Sequence, residues 1–169
     1  MDVAIHQRIQ GPLEELSLAT RGIRGCLLAT ADGVAMVQRN LDGQAESLAA
    51  LSASALGIGR KVSEVGECGH LEEICFKGVE GWVSVVAVGT RAVLATVAYE
   101  GCSIGMVMYY SRKYADELLT IIDPEQARLR EEREDSREEE DIGSMRSALH
   151  ALAALDHPQT VVEEHAEIP

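Results

Sequence analysis

The stretch HLEEICFKGVEGWVSVVAVGTRAVLATVAYEGCSIGMV, residues 70–107, decides the fold. Leu71 to Lys77 alternates like an exposed strand, with Ile74 and Phe76 on one face and Glu73, Cys75 and Lys77 on the other. Gly78-Val79-Glu80-Gly81 reads as a turn. Trp82 to Val88 is a nearly continuous β-branched run, as expected of a central strand. Gly89-Thr90-Arg91 is a second tight turn, and Ala92 to Tyr99 is a third strand, broken by Glu100-Gly101. Strands joined by such short turns run antiparallel, because a parallel crossover needs a dozen or more residues.

Immediately before this block lies a long helix, Asp42 to Gly66, for which Asp42 is the expected N-cap. Leu48, Leu51, Ala55, Ile58, Val62 and Val65 recur at steps of three and four, a seam for packing. Beside the seam lie Ala49, Ser52, Ala53, Leu56 and Gly59, small enough for the most part to let another backbone approach closely. A lone helix between β segments must cover a sheet, and the sequence leaves open which of its two faces does so.

Further upstream, Gly25 to Ala31 and Val34 to Val37 flank Asp32-Gly33, a strong hairpin signal because such a turn needs positive φ. Residues 3–20 can form a first helix with Ile5, Ile9, Leu13 and Leu16 on one side. Gly11-Pro12 interrupts it, so the spacing predicts that the ordered helix begins at Pro12. Downstream, Ser103 to Ile122 is a last helix of the domain, ended by Asp123-Pro124. The order is αββαβββα. It predicts an α+β fold, a five-stranded antiparallel sheet with helices on both faces, over residues 1–122.

Residues 123–169 differ in character. Glu125 to Asp141 is almost all charge and reads as a solvated helix or as irregular chain. Ile142, Met145, Leu149, Leu152 and Leu155 then form an apolar stripe at helical spacing, over about 142–155. Residues 156–169, with Pro158 and Pro169, are expected to be irregular. The net charge of −13 is uneven: 123–169 carries 5 Arg against 14 Asp and Glu. Such an acidic chain repels phosphate, which argues against nucleic acid and anionic membrane as partners. No run of about 18 apolar residues predicts a membrane span. The first residues show no apolar signal core, so a cytoplasmic location is expected.

The residues give little sign of catalysis. Cys26, Cys68, Cys75 and Cys102 show no C-x-x-C spacing, and Cys68 with His70 does not complete a zinc site. Cys26, Cys75 and Cys102 are expected to act as small hydrophobes in or beside strands. No G-x-x-x-x-G-K-[ST] occurs, which argues against GTP binding by a phosphate loop. The histidines have no Ser or Cys partner at recognisable spacing. No cofactor is expected. Trp82, on a central strand, is read as core.

Taken together, GCLLATADGVAMV at Gly25–Val37, the Ala/Leu/Ser-rich helix at Ser47–Glu64 and the quoted block resemble the roadblock family, the dynein light-chain type. Ile104-Gly105 stands where that family usually has Leu-Gly, and the element order is the family's own. The chain is most similar to bacterial solo-domain members, the Mgl-type GTPase-activating partners. The resemblance implies a homodimer in which central helices pack together and third strands pair edge to edge. Interface candidates are Leu48, Leu51, Ser52, Ala53, Ala55, Leu56, Ile58, Gly59, Val62, Ile74 and Phe76. It also implies a non-enzymatic regulator of a small Ras-like GTPase, working on the switch loops without an arginine finger. Arg39, Arg60, Arg91 and Arg112 are the residues for a finger if one is used. A structural scaffold with no effect on hydrolysis is the alternative function. A small-molecule sensor would need a dry pocket under the sheet. The stripe Ile142, Met145, Leu149, Leu152 and Leu155 is the candidate for docking on a partner or on its own domain.

Overall fold

The structure, a computed structural model, describes residues 3–155. The chain forms two units, Met1–Arg128 and Leu129–Pro169. The first unit contains α1 (Val3–Leu18), β1 (Ile23–Thr30), β2 (Ala35–Arg39), α2 (Ala45–Val65), β3 (Glu73–Lys77), β4 (Gly81–Val88), β5 (Ala92–Tyr99) and α3 (Ile104–Ile122). Helix α4 (Pro124–Leu155) begins in the first unit and continues into the second.

The five strands form one antiparallel sheet in the order β2-β1-β5-β4-β3. The two β-branched runs, β4 and β5, are paired along their full length near the middle of the sheet. Strands β2 and β3 are its edges. The hairpin between β1 and β2 turns at Gly33, with φ of 89°. A side chain there would also be strained against the Ala50 Cα, 2.9 Å from an added Cβ.

One face of the sheet is covered by α1 and α3. Ile9, Leu13 and Leu16 of α1 and Leu118 and Leu119 of α3 meet Cys26, Leu28, Val37, Val86, Val88 and Leu94. The other face is covered by α2 alone, where Ala49 and Leu56 meet Leu27, Ala29, Val85, Ala87, Val93 and Ala95. At its far end α2 crosses close to β3. A Cβ on Gly59 would lie 2.5 Å from Ile74 Cδ1 and 2.7 Å from Leu71 Cδ2.

Several local expectations are corrected. Helix α1 does not begin at Pro12 but runs through it from Val3. A proline in a helix removes one hydrogen bond, and here Ile9, Leu13 and Leu16 on either side are all fully buried, so the packing of that face holds the helix together. Asp42 does not cap α2. The N-cap position is Gln44, with no side-chain cap bond, while Leu41 is buried and Gln44 N–H bonds to its carbonyl. Strand β3 starts at Glu73 rather than Leu71. Cys75 is exposed, not a buried small hydrophobe. Trp82 is half-buried, with the Lys77 ammonium 5.0 Å from its ring centroid.

Asp123 ends α3 and caps α4. Its Oδ1 accepts from Gln126 N–H at 3.1 Å, with Pro124 at the first helical position. Gln126 is tied to the β4–β5 turn: Thr90 N–H donates to its Oε1 at 2.9 Å, and its Nε2 donates to Thr90 Oγ1 at 3.3 Å. The second unit is helical through Leu155. The end expected to be irregular, 156–169, lies outside the described residues.

Candidate partner-binding surface

Helix α2 presents two different faces. Ala49, Ser52 and Leu56 are buried against the sheet, and Ser63 continues that line. Ser52 Oγ is enclosed there without a hydrogen-bond partner. Leu51, Ile58, Val62 and Val65 are exposed at 67%, 67%, 66% and 76%. At about 100° per residue, Leu48, Ala55, Val62, Leu51, Ile58 and Val65 follow one another around the helix from the rim of the buried face to its far side. Leu48, Ala53, Ala55 and Gly59 are half-buried at the rims.

The sequence-derived interface candidates therefore separate into two groups. Ser52 and Leu56 serve their own sheet and are only 2% exposed, so they have no surface to offer a second subunit. Gly59 holds α2 close to Leu71 and Ile74. Leu51, Ile58 and Val62 form an outward apolar strip. Burying such a strip in water-free contact is favourable at roughly 25 cal/mol per Å² of apolar surface.

Strand β3 carries the second feature. It pairs with β4 on one side only. Ile74 packs against the α2 side of the sheet, whereas Phe76, on the same face, is 47% exposed. On the opposite face Glu73 is gripped by α3: Arg112 Nε donates to Oε2 at 2.6 Å and Nη2 to Oε1 at 2.9 Å. This two-point bond to the carboxylate raises the Arg112 pKa. An unpaired edge held this firmly against a helix is a prepared template for another strand.

Among the arginines, Arg112 is engaged by Glu73 and Arg39 lies 3.9 Å from Glu14. The Arg112 pairing had no signal in the sequence, because its partner is 39 residues away. The same holds for the buried contact between Ser111 and Thr96, 2.9 Å apart between α3 and β5. Cys26 is fully buried, and its thiol donates to the Leu13 carbonyl at 3.4 Å. Burial pushes its pKa up to about 12. Cys68 is exposed beside the end of α2, donating to the Gly66 carbonyl at 3.4 Å. No cluster of three or more metal-ligating side chains occurs among the described residues.

In the second unit, Ile142, Met145 and Leu149 are exposed along α4. The side chains of Leu152 and Leu155 lie outside the described residues. No described helix is long and apolar enough to cross a membrane.

The domain is thus a layered α+β fold with one outward apolar helix face and one edge strand paired on one side only. Residues 10–98 match the sequence profile of the Roadblock/LC7 domain, and the chain belongs to that family. Solved structures agree on the fold. A structure described as MglB with tetrameric arrangement is 22% identical, with a TM-score of 0.67 over 73% of this chain and 94% of that one. The gliding protein MglB from Thermus thermophilus is 20% identical, with a TM-score of 0.66 over 73% and 95%. Myxococcus xanthus MglB is 19% identical, also at 0.66, over 73% and 94%. No curated protein matches the sequence.

Proposed function

We propose that this protein is a non-enzymatic homodimer that binds a small Ras-like GTPase in the cytoplasm and regulates its hydrolysis of GTP. The observation that carries this reading is the pairing of two unsatisfied features on one side of the domain. The exposed strip Leu51, Ile58, Val62 and Val65 stands next to the free β3 edge that α2 crosses. A two-fold contact covers both at once, since each subunit meets an identical strip and an identical edge. The family membership and the fold shared with MglB support the GTPase as partner.

In the proposed assembly, Ile74 and Phe76 flank the strand pairing, and Leu48 and Ala55 line the rim of the helix pairing, while Ala53 sits on the opposite rim beside the Gly33 hairpin. Two copies of α2 then form a symmetric platform for the GTPase. Arg112 is occupied by Glu73, which supports action on the switch loops rather than insertion of that arginine. The stripe of Ile142, Met145 and Leu149 with Leu152 and Leu155 is a second docking element for the partner.

Light scattering of wild type and Ile58→Glu, followed by single-turnover GTP hydrolysis with a Ras-like GTPase of the same genome, tests the proposal. Wild type is expected to be a dimer that binds the GTPase and changes its rate. Ile58→Glu is expected to be a folded monomer, weaker in self-association by at least about 100-fold. A monomeric wild type would reject the dimer. Binding with an unchanged rate would select the scaffold instead.

A further inference from the structure

Strand β3 has the composition of a self-complementary edge. Its sequence is Glu73-Ile74-Cys75-Phe76-Lys77, with Cys75 at the centre. The hydrogen bonds Ala87 N–H to Glu72 O and Gly78 N–H to Gly81 O show which residues address β4. Antiparallel bonding alternates along a strand, so Glu72, Ile74, Phe76 and Gly78 turn their backbone groups to β4. Glu73, Cys75 and Lys77 turn theirs to the free edge.

When a strand pairs with its own copy about a two-fold axis, one residue must face itself. Centring on Cys75 sets Glu73 opposite the partner's Lys77, twice. It sets Ile74 opposite the partner's Phe76, also twice. Opposite charges then face each other on one side, where Glu73 is already held by Arg112 and Lys77 lies over the Trp82 ring, and apolar side chains meet on the other, covering the exposed Phe76 ring. The neighbouring choices are worse. Centring on Glu73 or Lys77 puts like charges face to face. Centring on Ile74 sets Phe76 against Glu72, and centring on Phe76 leaves Glu73 opposite Val79.

We propose that the β3 edges of two copies pair in the register centred on Cys75, and that the two Cys75 thiols meet on the two-fold axis as a reversible redox lock on the dimer. This rests on the homodimer proposed above. Residues directly opposite in a hydrogen-bonded pair have Cα atoms about 5.5 Å apart, within the range a disulfide spans. Cys75 is exposed in the single chain, on the face opposite α2, so the bond would form without disturbing the helix contact.

The chemistry is thiol–disulfide exchange with a small disulfide such as oxidised glutathione. One Cys75 loses its proton to solvent and attacks a glutathione sulfur, expelling one glutathione thiolate. The second Cys75 thiolate then attacks the protein sulfur of the mixed disulfide and expels the other. Two protein thiols are oxidised by two electrons, and one oxidised glutathione becomes two thiols. Burial and the neighbouring Glu73 raise the Cys75 pKa. Exchange therefore quickens as pH rises.

The full chain, incubated with oxidised glutathione and run without reductant, tests this. Wild type and Cys68→Ser are expected to give a covalent dimer that dithiothreitol reverses, and Cys75→Ser is expected to give none. Light scattering under reducing conditions separates the two layers of the argument. A monomer there would overturn the dimer and the lock together. A dimer that fails to link through Cys75, or that links through Cys68, would overturn the lock alone. On a Cys75→Ser background, Ile74→Cys or Phe76→Cys linking to itself would overturn the register. Lys77→Glu, which sets carboxylates opposite Glu73, is expected to weaken dimerisation about tenfold.

Discussion

The two faces of the sheet are finished differently. The face under α1 and α3 is closed by two helices and filled with Leu, Ile and Tyr side chains. The face under α2 has one helix and is filled largely by Ala, Val and Leu. Small residues at Ala49, Ser52 and Gly59 bring α2 close to the strands. The larger residues Leu51, Ile58, Val62 and Val65 fall on the side of the helix turned away from the strands and stand outward. The first face is closed within one chain, and the second leaves an apolar strip outward on its single helix.

Truncation in the closed layer should have the largest effect on folding. Leu94 is fully buried at the centre of that face. Leu94→Ala is expected to lower unfolding free energy by about 3 kcal/mol, read from the urea midpoint. Ile58→Glu on the open side should leave the fold intact and abolish self-association. A comparable loss of folding stability from both would erase the distinction between the layers.

Alkaline pH probes the closed layer more gently. The Cys26 pKa is raised from 9.0 to about 12 by burial. The neutral thiol is thus favoured in the folded chain, and its contribution is fully present below pH 9. Above pH 9 the unfolded chain releases this proton first, so stability falls as pH rises toward the folded value. Between pH 9 and 10.5 the loss from this group is expected to be about 2 kcal/mol. Cys26→Ala should remove that part of the pH dependence, and an unchanged slope would show that the thiol is not so enclosed.

The smallest effect is expected on the polar flank of α2. An added Cβ on Gly57 meets nothing within 4 Å. Gly57→Ala should stabilise the chain by about 0.5–1 kcal/mol through helix propensity alone, with dimerisation unchanged. A weakened dimer would mean that this flank, too, is covered by the second copy.

How much of this is legible in the sequence differs by region. The β4–β5 pair is legible because continuous β-branched runs separated by three-residue glycine turns allow few other arrangements. The hairpin at Gly33 is legible because its backbone needs positive φ. Helix α1 departs from its local signal at Pro12 because propensity says nothing of the burial of Ile9, Leu13 and Leu16. The start of α2 departs from its signal too. Asp42 is a good capping type, but buried Leu41 sets where the chain enters the helix. The Glu73–Arg112 clamp is invisible in the sequence because nothing local relates the two residues.

The sequence by itself determined the order of elements, the antiparallel sheet, the family and the presence of two usable faces on α2. Periodicity and turn chemistry are local properties, and local properties survive in a string of letters. Only the tertiary structure decided which face of α2 lies on the sheet. Ser52 and Leu56 went inward and Leu51, Ile58 and Val62 outward. That choice goes with how near the helix comes to β3 over Gly59, where Leu71 and Ile74 leave no room for a side chain, a contact no local pattern in the sequence encodes.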